Sequence, residues 1–460
     1  MKLKACDPSP RRIPELDGLR VILVFIVSWY HFWQQSWLTP SVGHVSLDFL
    51  VRSGYMPVDG TILLSGFLLF LPWARSMLLG ESAPDRRLFY RRRIMRIVPS
   101  FYFVTLLMLF AVALPWDLYY TPQRMVKDVF MHLTFTFTFD SQTYIATPIG
   151  VASWTLAIEM QAYLLFPFLA RWTVRRPVRT LVCMTGAAWL WRLWSLWAFT
   201  DYGMVVNQLP SFLDVYALGM AAALVYVRLT QWWKKVNKPL LWEVLATLTV
   251  AVCVILLEQI LRDQAYSDVI DNIQAGQMIR RFPFTLVLTV LTLVLPFTVL
   301  PLRKLMGNRV MTFLAGLSMN YYLLHQNIAV HLRRLEIPFS EFALPNQAGD
   351  VPWQYAYTWL CFGLSLLAAI LATYLIEKPG AALLRRLFDW LDRRSRKQYE
   401  WDAWELARTA NPGDVVILSN LSPDAVAAVE EALEGRNVIT ADPGTAPGSI
   451  RVSRKQHPSG

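Results

Sequence analysis

The feature that most constrains this chain is a series of apolar stretches, each long enough to cross a bilayer. They fall near residues 19–38, 58–79, 97–115, 152–170, 178–199, 210–229, 239–261, 282–301, 310–332 and 353–375. A hydrocarbon core about 30 Å thick needs roughly 20 residues of helix, so these stretches predict about ten transmembrane helices. Inside lipid the backbone must satisfy its own hydrogen bonds, and a helix does so without a partner strand. The expected fold class is therefore an all-α polytopic membrane protein. A composition that is 55% hydrophobic over 460 residues, with mean hydropathy +0.35, excludes a soluble multidomain enzyme.

A net charge of +11 raises the question of nucleic acid. The basic residues, however, form short clusters between apolar runs: Arg91–Arg93 after the second, Arg171–Arg179 after the fourth, Lys234, Lys235 and Lys238 after the sixth, and Arg303, Lys304 and Arg309 after the eighth. Such clusters set membrane orientation, so no nucleic-acid partner is expected and these loops are placed in the cytoplasm. Ten spans then leave both termini cytoplasmic, in a protein integral to the plasma membrane with lipid as its surroundings. Arg11 and Arg12 precede the first apolar run, but no small-residue cleavage site follows it, which reads as an uncleaved span. Cys6, Cys183, Cys253 and Cys361 are too scattered for a zinc site or a disulfide framework, and no metal is expected.

Hydropathy falls after the basic run that ends at Arg396, dividing the chain into a transmembrane part, 1–395, and a cytoplasmic tail, 396–460. In the tail, Asp414–Asn420 and Val438–Thr440 read as strands and Ser422–Glu434 as a helix, which makes a small α/β appendage. Between the third and fourth spans, Met131–Asp140 (MHLTFTFTFD) alternates threonine and phenylalanine with period two, the pattern of a strand or extended chain. A lone strand cannot satisfy its backbone in lipid, so this piece must lie at the outer interface or re-enter against other helices. His132 lies there and reads as an interfacial polar residue rather than a catalyst.

The first span carries Arg20 and His31. Eleven residues are close to three helical turns, so both side chains lie on nearly one face, roughly 16 Å apart. Ionisable side chains within spans are costly, and they commonly mark functional sites. The segment PELDGLR with the spacing Arg20-x10-His31 resembles the acyltransferase-3 family of membrane-bound O-acyltransferases, which acylate sugars, polysaccharides and some metabolites. Other segments resemble the same family in order. Val58–Phe67 (VDGTILLSGF) has Thr61 and Ile62 where the family usually has aromatic residues; Gly60 and Gly66 suit close helix approach, and Ser65 is assigned first to packing and also to the candidate substrate-binding set. Phe89–Pro99 places Arg93 and Arg96 three apart on one helix face, where guanidinium forks suit phosphate. Ser153–Tyr163 contains Trp154 and Glu159, and Met160 stands where the family often has a second acid. The weak match around Asp214 and the better one at Ser318–His325 complete the series.

The resemblance covers roughly residues 13–380 and implies an integral membrane acyltransferase. It implies transfer of an acyl group, expected to be acetyl, from acyl-CoA to a hydroxyl of a carbohydrate, glycan or small metabolite. His31 is then the candidate general base, Glu159 its orienting partner, and Arg20, Arg93 and Arg96 the clamp for the phosphates of coenzyme A. His325, Ser65 and Trp154 complete the candidate set on the substrate side. The rival expectation is a transporter or flippase, in which paired intramembrane ionisable residues line a substrate path.

Overall fold

A computed structural model describes residues 12–144, 147–150, 153–200, 203–267, 273–409, 415–418, 439–443 and 450–454. It divides into two compact units, Met1–Lys378 and Pro379–Gly460.

The first unit is helical. α1 (Glu15–Ser36) is followed by a two-residue hairpin, β1 (Ser41–Val42) with β2 (Val45–Ser46), and the short α2 (Asp48–Arg52). α3 (Pro57–Leu79) and α4 (Arg86–Met108) come next, α4 continuing as a π-helical turn, Leu109–Ala113. α5 (Pro122–Leu133) and α6 (Ser141–Tyr144) fill the connection to α7 (Trp154–Arg175). Then follow α8 (Pro177–Ala198), the single turn α9 (Gly203–Val206), α10 (Leu213–Trp233), α11 (Pro239–Ala265), α12 (Ile273–Val294), the short α13 (Leu300–Met306), α14 (Arg309–Arg334) and α15 (Val351–Ala372). A second π-helical turn, Thr373–Glu377, leads into α16 (Lys378–Thr409). Many starts are written in the sequence: α3, α5, α8 and α11 each begin on proline, whose missing N–H is no loss at a helix N-terminus.

Among the described residues, seven helices are long and apolar enough to cross a membrane. They are α1, α3, α4 with its π turn, α10, α11, α12, and α15 running on into α16. The expected ten is not reached because α7, α8 and α14, although as long, carry the polar side chains that build the interior. α11 shows the opposite composition: Leu240, Leu241, Leu248, Val252 and Ile255 are all exposed, as a lipid-facing helix requires. The chain is an integral membrane protein.

Close approach of backbones sets the packing. α3 and α10 are in intimate contact, because a Cβ on Gly219 would meet Leu63 O at 2.5 Å and one on Gly66 would meet Tyr216 O at 3.1 Å. Small residues thus let two spans touch backbone to backbone, which replaces the absent hydrophobic drive within lipid. α1 packs lengthwise on α14 and is held by α3 on another side. These contacts bring Arg20 on α1, Ser65 on α3 and Ser318 on α14 to one place.

The expected strand at Met131–Asp140 is not formed. α5 runs to Leu133, Phe135 adopts a left-handed turn conformation (φ 58°), and Phe137–Phe139 is a 3-10 turn. Thr134 donates to the carbonyls of Phe130 and Met131, so its hydroxyl closes the helix instead of facing a neighbouring strand. Phe135 and Phe137 point inwards while Phe139 is exposed.

In the second unit, β3 (Val415–Leu418), β5 (Ile450–Arg454) and β4 (Ile439–Pro443) form an antiparallel three-stranded sheet in the order β3-β5-β4, with Val415 opposite Ser453 and Ile439 opposite Arg454. The helix expected at Ser422–Glu434 lies outside the described residues.

Candidate functional site

Five helices of the first unit enclose a cavity of about 230 Å³. α1 contributes Arg20 and Val24, α3 contributes Thr61 and Ser65, α4 contributes Arg93 and Arg96, α7 contributes Thr155 and Glu159, and α14 closes it with Ser318 and Tyr322. The three arginines expected to act as a phosphate clamp therefore line one cavity, although they come from two separate helices. Arg93 packs over the rings of Phe89 and Tyr163, with its guanidinium carbon 5.7 and 5.5 Å from the two centroids, while its Nε is buried without an acceptor. A buried donor of this kind is costly until a ligand accepts from it. Glu159 is the acid of the cavity. Ser65 donates to its Oε1 at 3.1 Å and Tyr163 to its Oε2 at 2.9 Å.

Two expectations change at this point. Ser65 is not simply a packing residue, since it lines the cavity and donates to Glu159. Glu159 is bonded to Ser65 and Tyr163, and the group that holds His31 is Gln34, one turn along α1. His31 Nδ1 lies 3.0 Å from Gln34 Oε1, and Gln34 Nε2 in turn donates to Tyr30 at 2.9 Å. A carbonyl oxygen can only accept, so the proton sits on Nδ1 and Nε2 keeps its lone pair.

His31 does not line the cavity. It stands beyond it, stacked at a tilt against His325 with ring centroids 5.1 Å apart. His325 is fully buried, and its Nδ1 donates to the Tyr322 carbonyl at 2.8 Å, leaving Nε2 as a buried lone pair without a partner. The two imidazoles are thus held in the same tautomer. Tyr322 links them to the cavity, since it lines the cavity and its ring lies 5.4 Å from that of His325. Trp154 is elsewhere: it packs edge-on to Tyr144 and against Phe212 and lines no part of the cavity.

A second polar centre escaped the sequence reading. Arg281 Nε is 3.2 Å from Asp59 Oδ2, and Arg281 also donates to Ser211 Oγ at 2.8 Å. Arg192 lies 2.6 Å from Asp214 Oδ1 and donates to the Ser211 carbonyl at 2.6 Å. Two arginines and two aspartates from four helices therefore meet around Ser211, each side chain at most 2% exposed. Charges so deep are tolerated only in pairs. The available signal was four isolated charges in apolar runs, but nothing in their spacing pairs Asp59 with Arg281.

His132 is also corrected. It is fully buried beside Asp128 and is not an interfacial residue in contact with water.

The acyltransferase-3 family profile, described as an acyltransferase domain, matches residues 13–377. The chain is similar to O-acetyltransferase OatA of Staphylococcus aureus, 28% identical over 182 residues that cover 36% of this chain and 26% of that protein. It is also similar to peptidoglycan O-acetyltransferase OatA of Listeria monocytogenes, 26% identical over 206 residues that cover 40% and 29% of the two chains. The matched part spans less than a third of the length of either relative. No solved structure matches this chain.

Proposed function

The chain belongs to the acyltransferase-3 family, and from that premise we propose that it transfers an acyl group, acetyl in the first instance, from acyl-CoA to a hydroxyl of a carbohydrate, glycan or small metabolite. One observation carries the proposal: Arg20, Arg93 and Arg96 converge from α1 and α4 on a single cavity that also holds an acid. Coenzyme A has phosphates at one end and a thioester at the end of a long arm. Its phosphates pair with the three guanidiniums, and the arm runs along α1 past Val24 and Tyr322 towards the histidine pair. The separation of Arg20 and His31, roughly 16 Å along the helix, is of the right order for that reach. His31 Nε2 takes the acceptor's hydroxyl proton as the oxygen attacks the thioester carbonyl; the C–S bond then breaks, and the departing thiolate of coenzyme A takes that proton from Nε2. Gln34 holds the ring for that task, and Glu159 balances the charge of the clamp. The name of the Staphylococcus aureus relative favours acetyl, and that of the Listeria relative favours a glycan acceptor. In this reading both termini are cytoplasmic and the donor arrives from that side.

The test is purified full-length protein in detergent, given acetyl-CoA and fractionated glycan or metabolite extracts. Release of free thiol together with an acetylated product by mass spectrometry supports the proposal. Movement of a substrate across vesicles with intact thioester would replace it by the transporter reading.

The clamp is separable from the base. Arg93→Ala and Arg96→Ala each remove charge-assisted bonds of about 1.5–3 kcal/mol, so donor affinity is expected to fall about 10- to 150-fold. Isothermal titration with acetyl-CoA checks this, and unchanged affinity in both variants would remove the arginines from donor binding.

A further inference from the structure

α7 and α8 are joined through a single residue. α7 ends at Arg175, Arg176 turns the chain (φ −144°, ψ 72°), and α8 starts on Pro177. This tight hairpin holds Arg175, Arg176 and Arg179 close together, and all three are exposed. Their charge has no acid to balance it. No Asp or Glu occurs between Glu159 and Asp201, and none of the ion pairs among the described residues includes these arginines. Elsewhere such arginines are matched, Arg52 with Asp48, Arg262 with Glu258 and Arg280 with Asp263.

The three arginines line a cleft of about 600 Å³, within the size range of ligand pockets. The same cleft is lined by Leu169 and Trp172 of α7, Met184 and Ala187 of α8, and Leu213 at the start of α10. From Arg179 to Ala187 the helix rises about 12 Å, so the cationic end and the apolar end lie apart along α8. The surroundings are those of a lipid-facing surface: Leu164 and Phe168 on α7 and Val182 and Leu190 on α8 are exposed. Trp172, 58% exposed, suits the boundary between hydrocarbon and headgroups. A cleft that is cationic at one end and apolar at the other matches an amphiphile with a negative head.

We propose that this cleft binds an anionic phospholipid, its phosphodiester on Arg175, Arg176 and Arg179 and an acyl chain along Leu169, Met184, Ala187 and Leu213. Guanidinium forks make charge-assisted bonds to phosphate oxygens, and basic pockets between membrane helices recognise acidic headgroups in this way. Orienting the hairpin in the bilayer needs only the charge. The apolar cleft beside that charge is what selects a ligand with tails. A soluble phosphate ester leaves the apolar end empty, and a zwitterionic lipid brings its own cation up to three guanidiniums. The site shares no lining residue with the cavity of Arg20, Arg93 and Arg96, so it stands independently of the acyl-transfer reading.

Cys183 reports occupancy, because it lines the cleft and is exposed, whereas Cys253 and Cys361 are buried. Full-length protein in detergent micelles doped with phosphatidylglycerol or with phosphatidylcholine is treated with N-ethylmaleimide, and alkylation of Cys183 is followed by peptide mass spectrometry. With phosphatidylglycerol at about ten times its Kd, alkylation is expected to slow about 10-fold, and phosphatidylcholine should give no comparable protection. The triple variant Arg175→Gln, Arg176→Gln, Arg179→Gln changes only exposed side chains and should lower affinity for phosphatidylglycerol about 100-fold. Ala187→Trp fills the apolar end while leaving the arginines, and should abolish the phosphatidylglycerol adduct seen by native mass spectrometry. Thermal unfolding checks that both variants are folded. Equal protection by the two lipids would make the cleft an unselective apolar surface, and full protection in the triple variant would remove the arginines from binding. Protection by glycerol 3-phosphate alone would assign the cleft to a soluble ester. Each of these three results overturns the proposal.

Discussion

Replacing His31 with alanine is expected to lower turnover by about 10²- to 10⁴-fold, the loss associated with a positioned general base, while acetyl-CoA binding stays intact. The separation follows from geometry: the arginines line the cavity, whereas His31 stands beyond it, against His325 and Gln34. Gln34→Ala should lower kcat by less and leave the KM for donor unchanged, because it acts only by holding the ring. His325→Ala should also cost less than His31→Ala, since the Nε2 of His325 is buried and unpartnered. The pH dependence has a definite sign. Imidazolium has no lone pair to accept a hydroxyl proton, so activity is lost as pH falls through the pKa of His31 and is retained above it. Steady-state kinetics with thiol release as readout, alongside isothermal titration with acetyl-CoA, check both halves. Near-normal turnover in a well-folded His31→Ala protein would overturn the mechanism.

Removing one member of the buried charge cluster is expected to damage the fold itself. Asp59→Ala leaves Arg281 with no carboxylate partner in a site with 0% exposure, and breaking such a pair costs about 3–5 kcal/mol. Arg192→Ala should act alike, because it strands Asp214. Replacing both members of one pair with apolar residues of similar size, as in Asp59→Leu with Arg281→Met, should recover much of the loss, since neither desolvated charge then remains. Thermal unfolding of the purified variants in detergent checks this. A midpoint for Asp59→Ala equal to wild type would mean that the ion pair carries no stability.

The two clusters show what a linear chain can and cannot display. Residues that act from one helix were legible. Arg93 and Arg96 share a face because they are three apart, and both line the cavity; Arg20 lines it too, and His31, three turns further along α1, stands beyond it. His132 and Asp128, four apart on α5, were equally legible, but the threonine–phenylalanine alternation that begins beside them was read as a strand. That alternation misled because period two marks a strand only where another strand is available to pair, and here threonine hydroxyls close a helix instead. Hydropathy located the apolar runs, since burial in lipid acts on each segment separately.

Partnership between helices was decided only by the tertiary structure. Ser65 reaches Glu159 from 94 residues away, and Arg281 reaches Asp59 from 222. The sequence by itself determined which residues are too polar for lipid and which faces of their helices they occupy, because helical period and transfer free energy are local properties. Which of them meet was decided by packing, through close contacts such as Gly66 and Gly219 between α3 and α10, because backbone approach depends on the shape of both surfaces at once.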